Sequence, residues 1–294
     1  MCGIVGIYLK SQKLESSLGK MLSGMLINMG SRGPDSAGFA IYKEDKDKEF
    51  KYSLCLNKIN FEKFKDELNN KINIIEIEKN SDHVVIKSED NPKKVIKIIN
   101  EEFKEISIVG YGKSIEIFKQ VGEPKDVVKK FNLVNFSGTH AIGHTRMATE
   151  SAITTDGSHP YSTGEDECLV HNGSLSNHNN LRRKLKKNGI NFNSENDTEV
   201  AAGYISNNLS NKESLKDTLK KCLKDLDGFY TFITGTRKGF AVLRDEIACK
   251  PAVIAENDDY VAIASEFQAM AHLPNVNNAN IFEPEPGVVY SWGN

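Results

Sequence analysis

Met1-Cys2-Gly3-Ile4-Val5-Gly6 begins the chain, and the cysteine behind the initiator methionine becomes the amino-terminal residue once Met1 is trimmed. One residue then carries both a thiol and a free α-amine. An α-amine titrates at about pH 8 and a thiol at about 8.5, so near neutrality the amine can take the thiol proton without a distant histidine. An N-terminal amine acting as base for a neighbouring nucleophile is an established catalytic arrangement. The alternative is an accidental Met-Cys-Gly start on an ordinary strand, since residues 3–9 combine small and branched apolar side chains. On either reading the strand holds Cys2 at a sheet end.

Working outward, Leu14, Leu18, Met21, Leu22, Met25, Leu26 and Met29 fall on one face of a helix over 14–29. Gly33 and Pro34 stop it, and a strand resumes over 37–42. Residues 43 to about 132 differ in character: a Lys-, Glu- and Asp-rich lead-in, helices at 58–70 and 91–104, and strands near 72–78, 82–87, 106–109 and 114–121. This reads as a small α+β insertion with its own satellite core, which either docks a partner or merely decorates the surface. Its lone His83 is expected to face solvent. Gly110-Tyr111-Gly112-Lys113 lacks the helix and further glycines of a phosphate-cradling loop, so a tight turn is the better reading.

Strands are predicted at 139–145 and 168–171, then a helix at 177–187 ended by Asn188-Gly189 as a C-cap. A second helix starts behind Asn196 or Asp197 and runs to about 209, and a third covers 213–225. At least four strands follow, at 229–234, 240–244, 252–255 and 260–264. Periodicity alone yields mixed α and β, without repeats or a low-complexity linker.

With 38 basic and 40 acidic side chains and a net charge of −2, the 294-residue chain has no global attraction for nucleic acid or an anionic membrane. It contains no apolar run long enough to span a bilayer and no signal-like amino terminus, so a cytoplasmic location is expected. Cys2, Cys55, Cys168, Cys222 and Cys249 are odd in number and include no Cys-x-x-Cys pair, which argues against a disulfide framework or zinc site. The histidines show no metal-ligand spacing. Neither a metal nor another cofactor is expected.

Four further blocks give Cys2 its context: Ser31-Arg32-Gly33-Pro34-Asp35-Ser36-Ala37-Gly38, Gly143-His144-Thr145-Arg146-Met147-Ala148-Thr149, His171-Asn172-Gly173, and Asn196-Asp197-Thr198-Glu199. In identity and order they closely resemble the class II glutamine amidotransferases, the amino-terminal-nucleophile glutaminases. That resemblance implies an α+β fold, specifically a four-layer αββα sandwich with Cys2 on a central strand. It covers essentially the whole chain as one domain of 1–294, interrupted by the insertion at about 43–132.

The resemblance also distributes roles. Cys2 supplies nucleophile and base, and Asn172 with Gly173 holds the oxyanion; an Asn-Gly hairpin turn is the structural alternative. Arg146 offers a planar fork for the α-carboxylate of L-glutamine. Asp197 faces the α-ammonium, or serves as a helix N-cap, or both. Met147, Thr149 and His159 fall on positions that line the pocket. Arg32 and Asp35 fall on a supporting block, with an exposed turn and local ion pair as the alternative.

Val121-Gly122-Glu123-Pro124, Met147 and His159-Pro160 look most similar to the stand-alone amidotransferase subunit of archaeal-type glutamate synthases. The expected partner is therefore an ammonia-accepting synthase subunit on another chain, with the oligomeric state left open. The matching subunit of N-methylglutamate synthase, another N-terminal-cysteine amidase and a non-catalytic glutamine-sensing module are the alternatives. Arg244-Asp245, Lys250-Pro251 and Ser265-Glu266 resemble a pattern of related branches and are expected to build the second sheet and its turns.

Overall fold

The computed structural model describes residues 2–44, 48–57, 59–148 and 153–293. Along the chain run β1 (Gly3–Leu9), α1 (Leu18–Asn28), β2 (Ser36–Tyr42), β3 (Phe50–Cys55), α2 (Phe61–Asn69), β4 (Ile74–Asn80), β5 (His83–Ser88), α3 (Pro92–Glu102), β6 (Ser107–Gly112), β7 (Ile115–Val121) and α4 (Pro124–Lys130). There follow β8 (His140–Arg146), β9 (Cys168–Leu175), α5 (His178–Lys187), α6 (Asp197–Ser210), α7 (Leu215–Asp225), β10 (Gly228–Thr236), β11 (Gly239–Arg244), β12 (Val253–Glu256), β13 (Tyr260–Ala264), β14 (Asn280–Phe282) and β15 (Val289–Trp292).

β1 shows why the fold has layers. Val5, Ile7 and Leu9 point into one apolar core and Ile4 into another, because side chains alternate across a strand and both faces of β1 are covered. It sits at the centre of a seven-stranded sheet ordered β14-β12-β13-β1-β8-β2-β7. On one face, α1 lays down Leu18, Met21, Leu22, Met25 and Leu26, and α4 adds Val127 and Val128. On the other, Ile4, Ile142 and Ile263 meet Val170, Ile233 and Val242 of a four-stranded sheet ordered β15-β11-β10-β9. The outer face of that second sheet is closed by Leu181 and Leu185 of α5, Val200 and Ile205 of α6 and Leu219 of α7. Helix, sheet, sheet and helix thus stack in the αββα order.

The third sheet, β4-β5-β3-β6, is separate and carries α2 and α3 on one face around Tyr52, Leu54, Phe64, Val84, Ile86, Val95 and Ile99. Its strand and helix order is that of a split β-α-β pair. β7, placed within the insertion by the sequence, instead pairs with β2 as the edge of the large sheet, from Ser36↔Val121 to Tyr42↔Ile115. β3 and α4 lie where the sequence marked no element. His83 is fully buried rather than solvent-facing, packed against Phe118 and Phe131 and bonded to Asp82 at 3.0 Å. The reverse face of the insertion's sheet is pressed on the body, and that buries it.

Of the Gly110–Lys113 stretch, Gly110–Gly112 complete β6 and the turn falls at Lys113-Ser114, where the amides do cradle an anion. The anion is internal: the Asp166 carboxylate accepts from the N–H groups of Lys113, Ser114 and Ile115 at 2.9, 2.8 and 3.0 Å. No described helix is long and apolar enough to cross a membrane.

Buried imidazoles make the fold acid-sensitive. His140 stacks on Tyr42 at 4.1 Å and donates from Nε2 to the Thr236 carbonyl at 2.8 Å, tying β8 to the second sheet. Burial lowers its pKa to about 4 and that of His144 to about 3, and it lowers those of His83, His159 and His171 as well. The folded state refuses protons that the unfolded chain takes up below its ordinary value of about 6.5, so stability falls as pH drops from there towards 4. His140 alone is worth ~3 kcal/mol across that window. Thermal unfolding measured from pH 7 to 4 should show a steep loss, and His140→Gln should flatten it by about one proton's worth of slope. A flat profile would contradict the burial of neutral imidazoles.

Candidate active site

The amino-terminal strand is held on both sides. Ser265 Oγ accepts from Ile4 N at 3.0 Å while Ser265 N donates to Ile4 O at 3.0 Å. Arg32 Nε donates to the Cys2 carbonyl at 3.0 Å, and its guanidinium is paired with Glu266. Arg32 is therefore a buried clamp on the backbone of Cys2, not an exposed turn residue.

Strand register places Cys2 against its neighbours. Gly3 pairs with Thr145, which sets Cys2 beside Arg146, and Arg146 pairs on its other side with Ser36. Asp35 fixes the chain just beyond: its N–H donates to Arg146 O at 3.0 Å and its Oδ2 accepts from Ala148 N at 2.8 Å. The Met147 carbonyl, so positioned, lies 3.8 Å from Cys2 Sγ and accepts its S–H. The Arg146 side chain is buried, whereas Met147 is 45% exposed at the rim. Thr149 lies outside the described residues.

A second group gathers on the facing sheet. Asn172 and Gly173 lie inside β9 and not at a two-residue turn. Gly173 has φ +151°, and a Cβ there would stand 2.0 Å from the Phe229 carbonyl oxygen, so only glycine fits. Asn172 is 2% exposed, and its Nδ2 has no hydrogen-bond partner among the described residues. Buried amide donors are nearly always paired, so an orphan inside a strand calls for an explanation. Asp197 opens α6 behind the true N-cap, Asn196, whose side chain accepts from Thr198 N. One Asp197 oxygen accepts from Leu175 N at 2.8 Å, fastening the helix start to the end of β9.

The two groups meet through histidines. His144 Nε2, two residues before Arg146, donates to the carbonyl of His171, one residue before Asn172, at 3.0 Å. His159 stacks on His144 with centroids 3.8 Å apart, and its Nε2 lies 2.8 Å from Thr198 Oγ1. His171 Nδ1 lies 2.8 Å from the same hydroxyl. A hydroxyl has one proton, so at least one of these two imidazoles donates to it. Cys2, Arg32, Asp35, Arg146 and Met147 thus gather about the ends of β1, β2 and β8, and Asn172 and Gly173 lie on β9 of the facing sheet with Asp197 at the start of α6; His159 rests on His144, and the His144–His171 bond joins the two sheets. Among the described residues, no group of three or more His, Cys, Asp or Glu side chains is placed to hold a metal ion.

Sequence reasoning passed over Glu266, Thr198, His144 and His171. The Ser265-Glu266 pattern was visible, but nothing in the sequence pairs Glu266 with an arginine 234 residues away.

Residues 144–272 match the family described as a glutamine amidotransferase domain. Over 99% of its length the chain is 49% identical to glutamine amidotransferase-like protein GlxB of Rhizobium meliloti (strain 1021), covering 98% of that protein. It is 31% identical to a putative glutamine amidotransferase of Methanothermobacter thermautotrophicus, covering 99% of each. The fold is also that of glutamine phosphoribosylpyrophosphate amidotransferase from B. subtilis, with a TM-score of 0.64 at 22% identity. That likeness covers 99% of this chain but only 47% of the other. The chain belongs to the glutamine amidotransferases.

Proposed function

We infer that this protein hydrolyses the side-chain amide of L-glutamine to glutamate and ammonia, and passes the ammonia to a synthase subunit on a separate chain, of the glutamate synthase kind. With Met1 removed, the α-amine of Cys2 takes the thiol proton and the sulfur attacks the amide carbon. The tetrahedral oxyanion is received by Asn172 Nδ2–H and the Gly173 N–H. Its collapse forms a glutamyl thioester and expels ammonia, which leaves with the proton returned from the amine. Water, deprotonated by the same amine, then splits the thioester and releases glutamate. Arg146 grips the α-carboxylate, Asp197 the α-ammonium, and His159 and Met147 close the pocket.

The observation that carries this reading is the orphaned Asn172 Nδ2, buried within β9. A donor kept dry and unpaired is suited to a charge that exists only in the transition state. The separate acceptor subunit is supported by the resemblance of Val121–Pro124, Met147 and His159-Pro160 to stand-alone amidotransferase subunits.

Arg146→Lys tests the assignment. It keeps the charge and loses the bidentate fork, so the KM for glutamine should rise about tenfold or more while kcat changes little. Ammonia release should be assayed with and without the candidate synthase subunit. Tight glutamine binding without ammonia in the presence of that subunit would favour a sensing role, and turnover of N-acyl substrates in place of glutamine would favour a different amidase.

A further inference from the structure

The reaction just described leaves the buried ammonium of Lys119 unused. Lys119, on β7, is 5% exposed, and no carboxylate lies within ion-pair distance of its Nζ among the described residues. Instead the ammonium donates to the carbonyl of Ser158 at 2.9 Å and to that of Asp156 at 3.2 Å, and lies 4.7 Å from the centre of the Tyr161 ring. Burial lowers its pKa to about 8. An ammonium buried without a direct ion pair among the described residues costs the fold stability, so its presence asks for a different explanation.

The segment it grips supplies one. It is the stretch just before His159, whose ring rests on His144 and shares Thr198 with His171. There, Thr154–Ser158 folds into a turn closed by Gly157 N to Thr154 Oγ1 at 3.0 Å and Ser158 Oγ to Thr154 O at 2.8 Å. The turn lands directly on the sheet at Gly38, the residue paired with Lys119: a Cβ at Gly38 would stand 2.2 Å from His159 O. Lys119 therefore holds the 154–158 turn directly before His159. A neutral donor of the same length would not bind two carbonyls and a ring face as strongly.

We propose that Lys119 is a positioning residue for glutamine binding, an ammonium latch that fixes the 154–158 turn and, through it, His159 over the pocket. The effect on glutamine rests on the glutaminase reading; the latch itself does not.

Lys119→Met keeps the apolar stem and removes the buried charge, so the variant should fold and keep its melting temperature. Limited proteolysis within residues 147–158 should then be about tenfold faster than in the parent, a readout that needs no substrate. In the otherwise native enzyme the KM for glutamine should rise about tenfold, with kcat within about threefold. In a Cys2→Ala background, calorimetry should show glutamine binding weakened to the same extent by Lys119→Met. Unchanged proteolysis overturns the latch, as does a KM that moves only in step with a lost folded fraction. Accelerated proteolysis together with a Cys2→Ala protein that binds no glutamine would uphold the latch and sink the glutaminase reading instead.

Discussion

Cys2→Ala is expected to abolish ammonia release from glutamine, by a factor of about 10⁴ or to the assay floor, and to leave the melting temperature within a degree or two. The magnitude follows from the way a nucleophile and its base act as one unit: with the sulfur gone no thioester forms, and what remains is at most binding and oxyanion stabilisation. The fold should survive because β1 is held from Ile4 onward by Ser265 and by the apolar side chains it buries on both faces. Cys2→Ser is the sharper control. It preserves size and hydrogen bonding, yet a hydroxyl is a much weaker nucleophile near neutral pH than a thiol, so its activity should lie close to that of the alanine variant. Full turnover in either protein would move the chemistry elsewhere.

Asn172→Ala carries the second large effect. Loss of one preorganised donor to an oxyanion typically raises the barrier by about 2.7–4 kcal/mol, so kcat should fall about 10²- to 10³-fold. The KM for glutamine should barely move, because Asn172 is assigned to a charge that the bound substrate does not yet carry. Stability should hold or improve slightly, since the substitution removes a buried, unpaired amide. A residue kept for structure would behave in the opposite way, with a lowered melting temperature and nearly normal turnover in the folded fraction. Asn172→Asp would discriminate further: it replaces the donor with a negative charge facing the oxyanion and should be at least as damaging as alanine.

Much of the layered fold was legible in single strands. The apolar run at residues 3–9 announced a strand, and the side chains of 14–29 announced one helical face, trimmed in the structure to α1 with a 3-10 turn over Gln12–Ser17 before it. Assignment to a particular sheet was not legible. Ile115 and Ile117 turn towards the second sheet and Phe118 towards α4, so β7 is as apolar as an insertion strand and differs only in its partner. A period of two names a strand and is silent about its neighbour. α4 was missed because seven residues with Val127 and Val128 buried make too short a pattern. His83 was misplaced for a related reason: alternation puts it on the reverse face of the insertion's sheet, and only the packing of that face on Phe118 and Phe131 decides that it is buried.

The candidate site divides in the same manner. Motif blocks marked Cys2, Arg146, Asn172, Gly173 and Asp197 because their chemistry is local to a few residues. What orients them is long-range. Glu266 on Arg32, Asp35 on Ala148 and the His144–His171 bond between sheets each join residues far apart in sequence, so no local pattern records them. Lys119 belongs with these; as one lysine among many in the sequence it carries no signal until its burial is seen.

The most direct test of the proposed chemistry is mass spectrometry of the protein quenched in acid during glutamine turnover, followed by mapping of the amino-terminal peptide. The account predicts a chain that lacks Met1 and carries a glutamyl group on Cys2 in the quenched sample, with the group absent when glutamine is withheld. Fully active protein that retains Met1, or a glutamyl group found on any other residue, would contradict it.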